Sequence, residues 1–322
     1  MIKLSVGACY LLAFSVTPHA AHAQGQNFPI KPMRIVTTEV GGGADFAARQ
    51  VAQGLTAQLG QSVIVENRGA TLVAIDNVSK APPDGYTLLL AGISFFIDPL
   101  LRKLPYDPVN DFTPITIVAT SPTVLVVHPS VAVNSVKELI ALAKAKPGQI
   151  NYGSAPPGST TFLAGELFKS MAEVNIVRVT YKGAGPLLNS LLGGEVQLSF
   201  SSTGSVAPHI ASGRLKGLAV TSLERSALVP ELPTVAASGL PGYHMASVYD
   251  MLAPAKMPPA LVRRLNQEIV KVLNTPEVKD RFLKSGVEVV GGSPEQLAAT
   301  RKADVVRMTK VIKEAGISAD RE

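Results

Sequence analysis

Strand-like and helix-like stretches alternate along most of this chain. Residues 34–38 are rich in β-branched side chains, which are typical of a strand. Ala47, Val51 and Leu55 then recur every four residues, which places them on one face of a helix that should end at Gly60. Continued alternation of this kind predicts α/β domains with parallel sheets.

The same pattern continues to the end of the chain. Further strands are predicted at 62–66, 86–90, 115–119, 123–127, 150–152, 175–181, 196–201, 217–221 and 247–252. Further helices are predicted at 135–145, 160–171, 186–192, 261–273 and from 293 onward. Two helix starts carry capping sequences, Ser135 with Glu138 and Ser293 with Gln296. A proline-rich stretch at 229–241 interrupts the rhythm, and a two-lobed body fits better than independent tandem domains.

Three consecutive glycines, Gly41 to Gly43, lie at the predicted junction of the first strand and the first helix. The first amides of a helix have no partner within it and carry partial positive charge, so they can bind an anion. The segment lacks the third glycine of a dinucleotide-binding fingerprint and the Lys-Ser/Thr of a P-loop. A small-anion site and an ordinary tight turn are both compatible with it.

The N-terminal segment has the form of a secretory signal peptide. Lys3 provides the positive charge, residues 4–16 form an apolar run, and Ala21-His22-Ala23 provides a cleavage motif. We expect residues 1–23 to be removed after Ala23 and the mature protein to be periplasmic. Cys9 is the only cysteine and would leave with this segment, so the mature chain would form no disulfide and use no catalytic thiol.

The composition is that of a well-packed globular protein, with 46% hydrophobic and 17% charged residues. The formal net charge of +6 falls to +5 when the signal segment leaves with its one lysine. Lysines and arginines are scattered along the chain. We therefore attribute the basic charge to solubility and to the steering of acidic ligands, and expect no nucleic-acid partner.

Familiar catalytic and metal-binding motifs do not stand out in the mature sequence. Its histidines, His128, His209 and His244, lack metal-ligand spacing, and no G-x-S-x-G segment occurs. We expect no enzymatic activity, no metal and no cofactor.

Four loops that follow predicted strands are rich in Gly, Ser and Thr. They are residues 41–45, 154–160, 182–185 and 201–205. Ligands bind at the carboxyl ends of strands in open α/β sheets, so these loops could offer amides and hydroxyls to a carboxylate. Each loop taken alone is also compatible with ordinary turn chemistry.

Six longer motifs resemble one known family. They are Ala81-Pro82-Pro83-Asp84-Gly85-Tyr86-Thr87-Leu88-Leu89-Leu90, Leu104-Pro105-Tyr106-Asp107-Pro108, Ser135-Val136-Lys137-Glu138-Leu139, Leu163-Ala164-Gly165-Glu166-Leu167-Phe168, Tyr181-Lys182-Gly183 and Leu232-Pro233-Thr234-Val235. Through these motifs nearly the whole mature chain resembles the Bug receptors, the extracytoplasmic solute-binding proteins of tripartite tricarboxylate transporters.

This resemblance implies a type II periplasmic-binding-protein fold, in which two α/β lobes close over a ligand. It predicts a first lobe at 24–121 and 223–322 and a second lobe at 122–222, with crossings near 121–123 and 221–223. It also implies a small carboxylate ligand, such as a di- or tricarboxylic acid, an acidic amino acid or an aromatic acid. The implied partners are integral membrane transporter subunits, and we expect the receptor itself to be a monomer.

The candidate ligand-binding residues lie mainly on loops that follow predicted strands. In the family the first two such loops hold a carboxylate largely through backbone amides, which corresponds here to residues 41–44 and 68–70. The full candidate set is Gly41, Gly42, Gly43, Ala44, Asp45, Arg68, Gly69, Ala70, Ser94, Ser154, Ala155, Ser159, Thr160, Lys182, Gly183, Ser201, Ser202 and Asp250.

The loops that would contact the ligand depart from the family pattern. The segments that differ are Thr37–Asp45 (usually P-F-x-P-G-G-S/T-x-D), Asn67–Leu72 (usually N-R-P-G-A-G-G), Phe200-Ser201-Ser202 (often F-D-N) and Ser247-Val248-Tyr249-Asp250 (often S-W-F-G). Asp250 stands where relatives often have glycine. It could repel a second ligand carboxylate, attract an ammonium or hydroxyl group, or be a solvated or salt-bridged residue at a strand end. The resemblance therefore predicts the fold without naming the acid.

A transport receptor is the favoured function, and an exported sensing subunit that feeds a signalling receptor is the alternative. Genomic neighbours, either permease subunits or a histidine kinase, would separate the two. An exported enzyme is a more distant alternative, which turnover of candidate acids would reveal.

We expect the exported protein to begin at Gln24 without attached lipid, because Val6-Gly7-Ala8-Cys9 is a poor lipidation motif. Intact-mass analysis of periplasmic protein tests this. Retention of Cys9 with attached lipid would contradict it.

Overall fold

The computed structural model describes residues 28–314 apart from positions 39, 42, 69 and 70. The predicted signal peptide and its cleavage point lie outside the described residues. So do three candidate site residues, Gly42, Gly69 and Ala70.

Ten strands and ten helices occur within the described residues, and they alternate along most of the chain. In order they are β1 (Met33–Thr37), α1 (Gly43–Leu59), β2 (Val63–Asn67), α2 (Thr71–Ser79), β3 (Thr87–Gly92), α3 (Ser94–Leu101), β4 (Phe112–Val127), α4 (Val136–Ala145), β5 (Asn151–Ser154), α5 (Thr160–Ala172), β6 (Val177–Thr180), α6 (Ala184–Leu192), β7 (Leu198–Ser202), α7 (Thr203–Ala211), β8 (Lys216–Val220), β9 (Ala246–Pro254), α8 (Pro259–Leu273), α9 (Pro276–Lys284), β10 (Glu288–Val289) and α10 (Pro294–Glu314).

The strands form a curled sheet whose two halves share the long strand β4. In the first half, β2, β1 and β3 are parallel neighbours, and β9 joins β3 to β4 by antiparallel pairing. In the second half, β7 pairs antiparallel with β4, and β5 and β6 follow in parallel. β8 and β10 also pair with β4. The predicted parallel strands are thus present in both lobes, and the antiparallel strands β4 and β9 connect them.

β4 changes its partner part-way along its length. Its residues up to Pro122 pair with β9, whereas the residues from Thr123 onward pair with β7. Proline normally avoids central strands because it has no N–H to donate to the ladder. Pro114 lies at a shift of register with β9, and Pro122 is the last residue that pairs with β9, so both prolines lie where the ladder is already interrupted.

Each lobe has its own apolar core. In the first lobe α1 and α8 bury Leu55, Leu265 and Ile269 against the sheet. In the second lobe α4 and α5 bury Leu139 and Phe168.

The proline-rich stretch after β8 packs with the second lobe. Val229 and Leu232 join one of its clusters, and Leu240 and Met245 join the other. We therefore propose that the second crossing between lobes lies near Met245 and Ala246, where β9 begins, rather than near 221–223.

Helices α3 and α10 each contribute side chains to the apolar clusters of both lobes. α3 places Phe96 in a first-lobe cluster and Leu101 in the second-lobe core. α10 does the same with Leu297 and Met308. These helices therefore lie across the junction, on the side of β9 where Ala246 and Val248 are buried.

Most of the predicted elements are confirmed to within a few residues. The first helix ends at Gly60, whose φ of +66° suits glycine. The strands predicted at 115–119 and 123–127 are one continuous strand, β4. Four helices, α2, α3, α7 and α9, have no counterpart in the sequence pattern. All four are only eight or nine residues long, so an apolar pattern has few turns over which to repeat, and α3 and α7 also contain an internal proline.

The capping residues Ser135 and Ser293 are confirmed. Ser293 Oγ accepts from Gln296 N at 3.2 Å, and Gln296 Oε1 accepts from Ser293 N at 2.8 Å. Ser135 Oγ likewise accepts from Glu138 N at 3.2 Å, whereas the Glu138 carboxylate bonds the amide of Asn134 rather than that of Ser135.

Within the part of the chain that the structure describes, no helix combines the length and apolar character that crossing a membrane requires.

Gly165 lies where α5 crosses the ring of Tyr152 on β5. A Cβ at this position would lie 2.7 Å from Tyr152 Cζ. The ring is fully buried, and its hydroxyl donates to Glu166, so it has little freedom to move. We expect Gly165→Ala to lower the free energy of unfolding by about 1–3 kcal/mol in chemical denaturation without ligand.

Gly185→Ala on α6 is the matched control, because a Cβ there would meet no atom within 4 Å. This change should be neutral, or stabilising by up to about 1 kcal/mol through helix propensity. Equal effects of the two substitutions would contradict the packing of α5 on Tyr152.

Candidate functional site

The candidate residues lie along two sheet edges. β1, β2 and β3 are parallel, so the loops that follow them share one edge of the first lobe. The loops after β5, β6 and β7 share an edge of the second lobe for the same reason. All the described candidates except Asp250 lie in or beside these six loops, and Asp250 lies on β9.

Asp45 stabilises the loop after β1. Its carboxylate accepts from Gly41 N at 2.9 Å and from Asn67 Nδ2 at 2.9 Å, and it pairs with Arg49 at 2.9 Å. Burial alone would raise the pKa of Asp45, but the hydrogen bonds from Arg49, Gly41 and Asn67 lower it below its usual value. The carboxylate therefore stays ionised and fixes the loop, which makes Asp45 a positioning residue.

Glycine is required at positions 41 and 43 for different reasons. Gly41 has a φ of +80°, which disfavours any other residue, and a Cβ there would meet no atom within 4 Å. Gly43, the first residue of α1, lies instead against the Tyr249 side chain of β9, where a Cβ would be 2.6 Å from Cζ and closer still to Oη. Ala44 follows it in the first turn of the helix. The first amides of α1 therefore begin next to the phenol of Tyr249.

The loops after β2 and β3 lie on the same edge. Arg68 donates its backbone N–H to Thr37 O at 2.9 Å, and its guanidinium turns back to pair with Glu66. Arg68 Nε is buried and has no hydrogen-bond partner among the described residues. Ser94 is the first residue of α3, just beyond the end of β3.

The loop after β5 is fixed by its own hydroxyl groups. Ser154 is fully buried, and its Oγ donates to Ala155 O at 3.0 Å. Ala155 N donates to Thr161 Oγ1 at 2.9 Å, and Ser159 Oγ caps α5 by accepting from Phe162 N at 3.3 Å.

Thr160 connects this loop to β9. Its Oγ1 lies 2.8 Å from the Oγ of Ser247. The N-terminus of α5 thus meets β9 two residues away from Tyr249, the residue that contacts the N-terminus of α1.

The loops after β6 and β7 are more open. Lys182 is exposed, and Gly183 is in extended conformation with free space where a Cβ would lie. Ser201 is buried and donates to Ser199 Oγ at 3.0 Å, whereas Ser202 is exposed and bonds Ser205 Oγ at 2.8 Å. Ser201 therefore has an internal partner, while Lys182 and Ser202 lie at the surface.

Asp250 belongs to a buried ion cluster on the opposite face of β9. Its carboxylate accepts from Arg301 Nε at 2.6 Å and from Arg301 Nη2 at 3.1 Å, and both side chains are at most 5% exposed. Arg301 also donates to Asp304 at 2.6 Å, and Asp304 pairs with Arg307 at 2.6 Å. Of the possibilities that the sequence leaves open for Asp250, the salt-bridged residue matches this geometry.

The pKa values within the cluster follow from burial and charge. Burial raises the pKa of Asp250, and Arg301 partly offsets this. Burial would lower the pKa of Arg301, but the carboxylates of Asp250 and Asp304 raise it above its usual value. The arginine therefore remains charged, and its two carboxylate partners compensate that charge.

Two residues beside the loops, Ser247 and Tyr249, are absent from the sequence-predicted set. Side chains alternate across a strand. Ala246, Val248 and Asp250 are buried on one face of β9, so Ser247 and Tyr249 occupy the other. The sequence analysis selected only Asp250 from the segment Ser247–Asp250. Because side chains alternate across a strand, Ser247 and Tyr249 could have been predicted to share the face opposite Asp250.

This arrangement of two α/β lobes, with loop-bearing edges on either side of a shared pair of strands, defines a two-lobed solute-binding protein. The chain belongs to the tripartite tricarboxylate transporter family of receptors, whose family model matches residues 47–317.

Individual relatives extend over nearly the whole chain. BugT of Bordetella pertussis is 33% identical over 303 residues, which cover 92% of this chain and 93% of BugT. The R. palustris protein Rpa4515, solved with adipate, is 35% identical with a TM-score of 0.72 and covers 90% of this chain and 99% of its own. MatC from Rhodopseudomonas palustris, solved with bound malate, is 26% identical with a TM-score of 0.69 and covers 88% of this chain and 100% of its own. The resemblance to Bug receptors and the predicted fold are thus confirmed.

Removing the charge of Asp250 should leave Arg301 buried with one carboxylate partner fewer. We expect Asp250→Asn to lower the free energy of unfolding by about 3–5 kcal/mol, because an incompletely compensated charge would remain in the interior. Chemical denaturation without ligand measures this.

Asp280→Asn is the control, because its pair with Lys284 is exposed and should contribute less than about 1 kcal/mol. An Asp250→Asn protein of unchanged stability but altered ranking of bound acids would favour the ligand-contacting hypothesis for Asp250 instead.

His244 should make stability depend on pH. Burial and the charge of Arg307 lower the pKa of His244 to about 4, although Asp304 opposes them. The unfolded chain would therefore take up a proton below about pH 6.5 while the folded chain does not, so stability falls between about pH 6.5 and pH 4. Near pH 4 the loss of folding stability caused by His244 is about 3 kcal/mol.

Denaturation of His244→Gln across this range should show a smaller loss than the parent protein, whereas His209→Gln on α7 should retain the full loss. Identical pH profiles for His244→Gln and the parent would show that His244 is not held neutral in the folded state.

Proposed function

We propose that this protein is a periplasmic receptor that captures a small organic acid between its lobes. The supporting observation is that two helix N-termini meet one face of β9. Gly43 at the start of α1 lies against Tyr249, and Thr160 at the start of α5 bonds Ser247. Side chains two residues apart on a strand are separated by about 6.7 Å. One helix end from each lobe thus contacts the same short segment of β9, and we place the ligand in the volume between these two helix ends.

A carboxylate suits this volume for electrostatic reasons. Both helix ends carry partial positive charge and N–H groups without partners inside the helix. Two nearby arginines form ion pairs, Arg49 with Asp45 and Arg68 with Glu66, and among their side-chain donors Arg68 Nε is buried without a partner among the described residues. Recognition would then rely mainly on amides and hydroxyls, which are strong donors to an anion in a confined site.

The relatives support the same ligand class. Rpa4515 was solved with adipate and MatC with malate, and both compounds are dicarboxylates. Since a ligand that contacts both lobes binds the closed form more tightly than the open form, it would shift the population toward closure. The closed receptor would then present the acid to integral membrane transporter subunits, without chemical turnover.

Membership in a transporter receptor family favours transport over the sensing alternative. Genes for membrane permease subunits beside this one would agree with transport, whereas a neighbouring histidine kinase would favour sensing.

A thermal-shift screen with adipate, malate and a panel of other small carboxylates tests the ligand class. A binding acid at about a hundred times its dissociation constant should add about 2.7 kcal/mol of stability. The matched controls are adipamide and malamide, which keep the carbon chain but lack negative charge. Binding of the diamides as tightly as the acids, or of none of the acids, would contradict the proposal.

The hydroxyl of Thr160 should contribute modestly to affinity. We expect Thr160→Ala to weaken binding of the acid found in the screen by about 0.5–1.5 kcal/mol, the usual worth of one neutral hydrogen bond. Isothermal titration calorimetry measures this, with Thr309→Ala on the exposed part of α10 as control. Equal affinity of both variants and the parent would remove the Thr160 hydroxyl from the proposed site.

A further inference from the structure

Among the described residues, Tyr249 is the tyrosine whose hydroxyl forms no hydrogen bond. Six tyrosines lie in the described part of the chain, and five of them form hydrogen bonds through their hydroxyls. Those five are Tyr86, Tyr106, Tyr152, Tyr181 and Tyr243. Among the described residues, Tyr249 Oη has no such bond. Tyrosine hydroxyls in packed surroundings usually have a partner, and no described residue occupies this one, so a ligand group could bind it.

The phenol is held in one position by packing. Its ring joins the apolar cluster beneath α1 and α8, while Ala246, Val248 and Asp250 fix the other face of β9. At its tip it occupies the place where a side chain of residue 43 would lie. Gly43 has no left-handed φ that would itself require glycine, so the requirement for glycine there comes from the phenol.

The charge state of the phenol suits hydrogen-bond donation. Burial raises the pKa of Tyr249 above its usual value, so the hydroxyl keeps its proton at neutral pH. A neutral O–H next to the N-terminal amides of α1 adds a donor to a group of donors. Donors that converge in this way select an acceptor-only group, and a carboxylate is such a group.

We propose that Tyr249 is a specificity-determining residue of the receptor, whose hydroxyl donates a hydrogen bond to the ligand carboxylate held at the N-terminus of α1. This inference rests on the proposed capture of a small organic acid between the lobes. It assigns one end of that acid to a particular side chain. It also gives Gly43 a role, since the absent side chain leaves room for the phenol.

The decisive variant is Tyr249→Phe, which keeps the ring and its packing and removes only the hydroxyl. Titration calorimetry with adipate, or with the tightest-binding acid of the panel if adipate does not bind, should show about tenfold weaker binding or more, the usual effect of losing a hydrogen bond to a charged group. Tyr86→Phe is the matched control, because the Tyr86 hydroxyl accepts from Ile30 N at 3.0 Å, beside the opposite end of β3. Its affinity should equal that of the parent.

A spectroscopic readout separates ligand contact from a merely structural role. The chain contains no tryptophan, so its near-ultraviolet absorbance comes mainly from tyrosine. Adding the acid should produce a tyrosine difference spectrum that disappears in Tyr249→Phe and persists in Tyr86→Phe.

A steric test needs no ligand. Gly43→Ala should lower the melting temperature, and the same change in a Tyr249→Ala background should have little further effect because the phenol is gone. Additive effects of the two substitutions would show that the phenol does not lie against residue 43, and would overturn the inference.

The binding outcomes separate the two proposals. A parent protein that binds no acid of the panel would overturn both the proposed function and this inference. A parent that binds an acid, with Tyr249→Phe binding it within twofold, would overturn the role of Tyr249 alone and leave the proposed function intact.

Discussion

The continuous pairing of β4 is the constraint on which the two-lobed structure depends. Every buried N–H and C=O of a central strand needs a partner, and β4 satisfies this by changing neighbours at Pro122 and Thr123. One strand therefore belongs to both lobes. The neighbouring strand β9 begins at Ala246, which pairs with Pro122, the point where β4 changes neighbours. The carboxyl edges of the two groups of parallel strands consequently lie on either side of a shared pair of strands.

The proposed site would bind its ligand with few charged side chains. The starts of α1 and α5 come from different lobes and meet β9 at Tyr249 and Ser247. The charges in the first-lobe loops serve mainly to shape them, since Asp45 fixes the turn at Gly41 and Glu66 holds the guanidinium of Arg68. In the proposed site, amides and hydroxyls would then provide most of the contacts to the ligand.

The opposite face of β9 has a different function. Asp250, Arg301 and Asp304 form a buried network between the strand and α10, where α10 passes from one lobe to the other. A buried ion pair adds little net stability compared with apolar packing, but leaving one partner alone is strongly unfavourable. We therefore infer that the network contributes to positioning α10 beside β9. Asp250 stands where relatives often have glycine, and its ion pair with Arg301 on α10 explains the aspartate.

Local sequence determined most of the elements of this protein, because apolar periodicity, capping residues and glycine positions act over a few neighbouring residues. Ser293 with Gln296 marked the start of α10, and Gly60 marked the end of α1. Family motifs determined the two-lobed fold. The sequence could not reveal that Asp250 faces Arg301, that Thr160 bonds Ser247, or that the phenol of Tyr249 fills the space beside Gly43. Those contacts join residues that are distant in the chain. The pairing of β9 between β3 and β4 brings them together, because the register of a strand decides which face each of its side chains occupies.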